Sequence, residues 1–74
     1  MDILNKRLRD LREDNDLKQT DIADILNMKY QQYQNYENGK RLLPISHLVT
    51  LSKFYKVSTD YLLGLTNNPT PPKK

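Results

Sequence analysis

The chain has 74 residues, one histidine, no cysteine and a formal net charge of +3, with 36% hydrophobic and 28% charged residues. That length admits one small domain, which hides only about 60% of the surface its unfolded chain exposes. The composition excludes a disulfide framework or thiolate metal site and is too apolar for full disorder, while no run approaches the roughly 20 apolar residues of a membrane span. No signal-peptide run opens the chain, so a cytoplasmic location without membrane association is expected.

Leu4, Leu8 and Leu11 fall at helical spacing among charged residues and predict a first helix over 3 to 14, broken by the "DND" at 14 to 16. Ile22, Ala23, Ile25 and Leu26 predict a short second helix over 18 to 26, ended by Asn27, which tolerates a left-handed turn. Only Met28 separates this from "KYQQYQNYENGK", whose "NGKR" end is a strong turn signal; a third helix over 30 to 38 follows. Pro44 suits the entry to a fourth helix over 45 to 56, with Leu48, Val49, Leu51 and Phe54 on its apolar side. Ser58 as N-cap, Asp60 in the first turn and Gly64 at the end mark a fifth over 58 to 63. "TNNPTPPKK" shows no apolar pattern, so the domain spans 1 to 66 and residues 67 to 74 form a flexible tail or linker stump. The expected core is Leu8, Leu11, Leu17, Ile22, Ala23, Leu26, Leu48, Leu51, Phe54, Val57 and Leu62.

Charge is unevenly placed: residues 29 to 56 carry five basic and one acidic side chain, against five and seven over residues 1 to 28. A polyanionic partner opposite the middle third and a merely solvated face both fit this. Two short helices joined by a tight turn, the second rich in carboxamides and followed by a basic turn, form a helix-turn-helix. Its second helix fits the DNA major groove, about 12 Å wide.

The fragments "LRDLRE", "LKQTDIADIL", "YENGKRLLP" and "LSKFYKVSTDYLLGLT", in this order over about residues 4 to 66, resemble the lambda-repressor-like (Cro-type) helix-turn-helix family. The resemblance implies an all-α, compact five-helix domain with the helix-turn-helix at the second and third helices. It further implies a phage or bacterial transcription regulator, usually a repressor that binds a palindromic double-stranded operator as a homodimer.

Carried over position by position, the resemblance gives Gln19 a phosphate contact and a brace on the reading helix. Tyr30, Gln31, Gln32 and Asn35 become base readers; a carboxamide donates and accepts at once, as adenine N6 and N7 require. Lys29, Tyr33, Asn38, Gly39, Lys40 and Arg41 face the DNA backbone, where Gly39 allows close approach and the cations supply charge. Arg12 and Glu37 form a structural ion pair between the first helix and the end of the third. Tyr61, Leu63 and Leu65 form a two-fold interface, although they also fit a core or exposed role. Lys18 and Lys29 depart from the family, since many relatives carry Ser or Thr caps there.

At about 100° per residue the wheel sets Tyr33 and Tyr36 on one face and Gln31 with Asn38 on the other. It leaves Tyr30 with Tyr33 open as the inward pair; the resemblance favours Tyr33 and Tyr36. No enzyme, cofactor or metal site is expected, because His47 stands alone, with no nucleophile or ligand set around it. The alternative is an antitoxin or protein-interaction module on the same fold; a protein partner or inducer is not readable.

Overall fold

The computed structural model describes residues 2 to 71. Five helices follow in chain order: α1 (Asp2–Asp14), α2 (Gln19–Ile25), α3 (Tyr30–Glu37), α4 (Ile45–Tyr55) and α5 (Thr59–Leu62). No strand occurs among the described residues, as the all-α expectation requires. Predicted and observed limits differ by a residue or so at helix ends, where Lys18, Asn38, Lys56, Ser58 and Leu63 act as caps instead of helical residues.

Each helix stops by the same device. Asp16, Asn27, Gly39, Lys56 and Gly64 all take positive φ, between 55° and 82°. The next residue donates its N–H five residues back: Leu17 to Arg12, Met28 to Ala23, Lys40 to Asn35, Val57 to Ser52 and Leu65 to Asp60, all at 2.9–3.0 Å. This ties off carbonyls that a helix end leaves unpaired, and the donor is usually an apolar residue folded back onto the core. Leu17, Met28 and Val57 do fold back. Lys40 is the polar exception, and it stands exposed at the end of α3.

Leu4 and Leu8 of α1, Ile22, Ala23 and Leu26 around α2, Tyr33 of α3, Leu48 and Leu51 of α4, and Val57 and Leu62 form one core. Leu11 and Leu17 pack against it half-buried. Phe54 is the exception among the expected core residues. It is 42% exposed, because Leu48, Leu51 and Tyr55 take the inner stripe of α4 and leave Phe54 on its flank, edge-on to Tyr55 at 5.0 Å. Val49, 38% exposed, lies off that stripe too.

The segment after α5 is hydrogen-bonded back onto the helices. Arg7 donates to the Tyr61 carbonyl, to the Thr66 carbonyl at 2.8 Å and to Asn67 Oδ1 at 2.9 Å, with its guanidinium 4.0 Å above the Tyr61 ring. Ser58 donates its N–H to the Pro69 carbonyl at 2.9 Å. Residues 66, 67 and 69 are therefore hydrogen-bonded to α1 and to the start of α5. Pro72, Lys73 and Lys74 lie outside the described residues.

Candidate nucleic-acid interface

The site is built on α3, and α3 is held from behind. Tyr33 is 0% exposed and Tyr36 8%, which settles the inward pair; Tyr30 stays 44% exposed at the start of the helix. Tyr36 also approaches His47 of α4, ring centroids 6.4 Å apart. The expectation that the Tyr33 hydroxyl faces a phosphate is corrected: the whole side chain is in the core, and the hydroxyl meets no hydrogen-bond partner among the described residues. Burial first, and then the nearby Glu37 charge, hold Tyr33 protonated far above the usual phenol range.

At the other end of α3, Glu37 is buried and collects donors from two other helices. Arg12 of α1 donates from Nε to Oε2 at 3.0 Å and from Nη2 to Oε1 at 2.9 Å, a two-pronged match of guanidinium to carboxylate. Gln19, the first residue of α2, donates to Oε1 at 3.2 Å, and Arg12 Nη1 also donates to the Leu17 carbonyl at 3.0 Å. Burial pushes the Glu37 carboxyl up, but the Arg12 and Gln19 hydrogen bonds and the Arg12 charge outweigh it and hold the group below its ordinary value. Arg12 is raised in turn by its bond to Glu37. The expected pair is present, and Gln19 serves as its third member.

Gln31 and Gln32 are exposed and Asn35 is half-buried on the outer side of α3. Side chains one turn apart are linked along the helix: Gln34 donates to the Tyr30 hydroxyl at 3.2 Å, Gln31 to Asn35 Oδ1 at 3.5 Å and Gln32 to the Tyr36 hydroxyl at 3.5 Å. Lys29 precedes the helix, while Asn38, Gly39, Lys40 and Arg41 follow it, and all five are exposed. A shallow groove of about 370 Å³ between the ends of α1, α2 and α3 brings Gln19 and Tyr30 together with Lys18 and Thr20.

Asn5 is a residue that spacing could not single out. Gly39 has φ 82°, and a Cβ placed there would run into the Asn5 carboxamide of α1. The turn after α3 thus passes close over the Asn5 side chain of α1, at a positive φ that favours glycine. Helix starts near the site are weakly capped. Asp21 accepts the Lys18 N–H at 2.8 Å, but Lys18 returns no side-chain bond because an ammonium has no acceptor, and Lys29 gives none either.

Of the residues assigned to a two-fold interface, Tyr61 and Leu63 pack partly against the core, and Tyr61 lies under Arg7. Leu65 alone is open, at 73%. Among the described residues no helix is long and apolar enough to cross a membrane, and no cluster of metal-ligating side chains occurs.

A short helix braced at right places by a second, with a polar outer face between two basic ends, defines a helix-turn-helix domain. Comparison with known proteins agrees: a family model described as helix-turn-helix matches residues 8 to 62. The chain is also 38% identical over 66 residues to an uncharacterized HTH-type transcriptional regulator, YobD, of Bacillus subtilis (strain 168). No solved structure matches. This chain therefore belongs to the Cro/lambda-repressor-like helix-turn-helix family, a non-enzymatic family of DNA-binding proteins. The YobD match covers 89% of this chain and 59% of the relative, so the chain spans about three-fifths of that protein's length.

Proposed function

We propose that this chain is a sequence-specific regulator of transcription, acting in the cytoplasm as a repressor that binds a palindromic operator as a dimer with α3 in the major groove. One observation carries the reading. The recognition helix buries Tyr33 and Tyr36 and leaves Gln31 and Gln32 in solvent, between Lys29 at one end and Lys40 and Arg41 at the other. Carboxamides read base edges while flanking cations hold phosphates, so specificity and affinity come from different residues. Tyr30, Gln31, Gln32 and Asn35 read bases in this account. Gln19, Lys29, Asn38, Gly39, Lys40 and Arg41 hold the backbone.

Lys29 supports the phosphate role because it works against its own helix. A cation at the positive end of the helix dipole, in a cap position without a side-chain acceptor, is locally unfavourable. A phosphate docked there offsets that cost.

The test is duplex binding across a salt series. Lys40→Gln should weaken all sequences alike and lower the slope of log affinity against log salt by about 1, while Gln31→Ala or Asn35→Ala should cost about 1 to 3 kcal/mol at one base pair. Equal losses on all sequences for the α3 variants would defeat the base-reading assignment. Capture of a protein partner with salt-independent, negligible DNA binding would favour the interaction module instead.

A further inference from the structure

Two hydroxyls inside the molecule have no role in the interface described above. Tyr33 of α3 is fully buried and Tyr55 of α4 packs against the core, and both phenol oxygens are buried without a hydrogen-bond partner among the described residues. Roughly 90% or more of buried polar groups in folded proteins find a partner, so two orphans in so small a core need a cause. Phenylalanine would fill the same space with no polar atom to satisfy. Both hydroxyls lie in the field of one group: burial first, and then the Glu37 charge, push both phenols up, and Tyr55 acts on Tyr33 in turn.

The donors and acceptors at Glu37 can be counted. A carboxylate offers about four lone-pair sites. Oε1 accepts from Arg12 Nη2 at 2.9 Å and from Gln19 at 3.2 Å, while Oε2 accepts from Arg12 Nε at 3.0 Å, which also leans toward Oε1 at 3.3 Å. About one site is left, on Oε2, for two O–H groups that make no direct bond to it. One acceptor cannot serve two donors, but a water can, by accepting from both phenols and donating to the carboxylate. We propose that Tyr33, Tyr55 and Glu37 hold one internal water, and that through it Tyr55 is a positioning residue for the reading helix. Interior waters make about three hydrogen bonds and occur about once per 27 residues, so one in a chain of 74 residues is ordinary. Arg12 brings α1 to Glu37 and Gln19 brings α2. The water adds α4, so three helices converge on the one carboxylate that fixes the end of α3. In its bearing on DNA the proposal rests on the reading given above.

The experiment joins a high-resolution crystal structure to two near-isosteric variants, Tyr33→Phe and Tyr55→Phe. Wild type should show one water within about 3 Å of both phenol oxygens and Glu37 Oε2. Each variant should melt about 4 to 8 °C lower, and the double variant should lose less than the sum, because either change already releases the water. Glu37 is faced by Arg12 of α1, with the exposed Glu13 carboxylate 4.0 Å from that guanidinium, by Gln19 of α2 and by the two phenols. Only the phenols change, so the Glu37 carboxyl followed by carbon NMR should titrate at higher pH in each variant, as a carboxylate that has lost a donor does. Tyr55→Phe should also weaken binding to a selected duplex about twofold or more, although Tyr55 touches no DNA. Variants that melt at or above wild type with the Glu37 midpoint unmoved are the result for orphaned hydroxyls, and they overturn the proposal. So does a direct phenol-to-carboxylate bond with no water between. Unchanged duplex affinity in Tyr55→Phe overturns the positioning role. If wild type binds no duplex at all, the DNA-binding reading fails, while the water and the Glu37 titration still decide the site itself.

Discussion

Glu37→Ala tests how α3 is held. The Glu37 side chain is 3% exposed and accepts from Arg12 and Gln19, while the Arg12 side chain is 13% exposed. The substitution leaves a mostly buried guanidinium with only the exposed Glu13 carboxylate, 4.0 Å away, as counter-charge, and takes from Gln19 its Glu37 acceptor. Removing one partner of a buried pair costs roughly 3 to 5 kcal/mol. Arg12 keeps the Leu17 carbonyl and some water contact, which places the loss at the low end, about 3 kcal/mol. A domain of this size has a total stability of roughly 4 to 11 kcal/mol, and each kcal/mol moves its melting point about 4 to 8 °C. The variant should melt about 12 to 24 °C lower by circular dichroism at neutral pH and lose duplex affinity as α3 comes free. Replacing both residues by Met should recover much of the stability, since a buried pair is often no better than well-packed apolar side chains. Melting of Glu37→Ala within the few degrees expected of an exposed pair worth about 0 to 1 kcal/mol would refute the reasoning.

Other perturbations follow from the same geometry. Lys29→Ser gives α3 a capping side chain and removes a cation from the positive dipole end; it should raise stability by about 1 kcal/mol in urea unfolding while weakening DNA binding. A destabilised variant would sink that reasoning. Gly39→Ala forces a Cβ into the positive-φ region and onto Asn5, so melting should fall by the equivalent of 1 to 2 kcal/mol or about that, whereas Asn5→Ala should leave melting nearly unchanged and relieve part of the Gly39→Ala loss. Strict additivity of the two would contradict the contact. The pH profile has two edges. Glu37 is held below its ordinary value, so its stabilisation is present above about pH 4.3 and is lost as pH falls below it. Tyr33 and Tyr55 are raised by burial, so their contribution is present below about pH 10 and is lost as pH rises beyond it. Urea midpoints that stay flat at the alkaline edge would contradict the buried hydroxyls.

Much of this was legible because periodicity and turn chemistry agreed. Leu4, Leu8, Ile22, Leu48 and Leu51 sit at helical spacing and are buried, and Asn27, Gly39 and Gly64 end helices as their types suggest. Asp16 adopts the same left-handed conformation inside the "DND" turn signal, and Lys56 does so with no such signal, because Val57 pulls the chain back onto the core. Phe54 was misplaced for a related reason: an apolar residue at the edge of a helical stripe is inside or outside according to how the helix rotates in its packing. The outward carboxamides of α3 followed from the wheel once Tyr33 and Tyr36 were fixed inside. The Tyr33 hydroxyl did not, since spacing gives a ring's direction but not its depth. Nor could spacing show Arg7 on the carbonyls of residues 61 and 66, because no sequence pattern links positions more than fifty residues apart.

The most direct test of the central claim is an amide chemical-shift map of the chain titrated with its selected duplex. The account predicts the largest changes at Lys18 to Thr20, along the outer side of α3 from Lys29 to Asn35 and through Asn38 to Arg41. Changes confined to α1 and α5, with α3 unmoved, would contradict it.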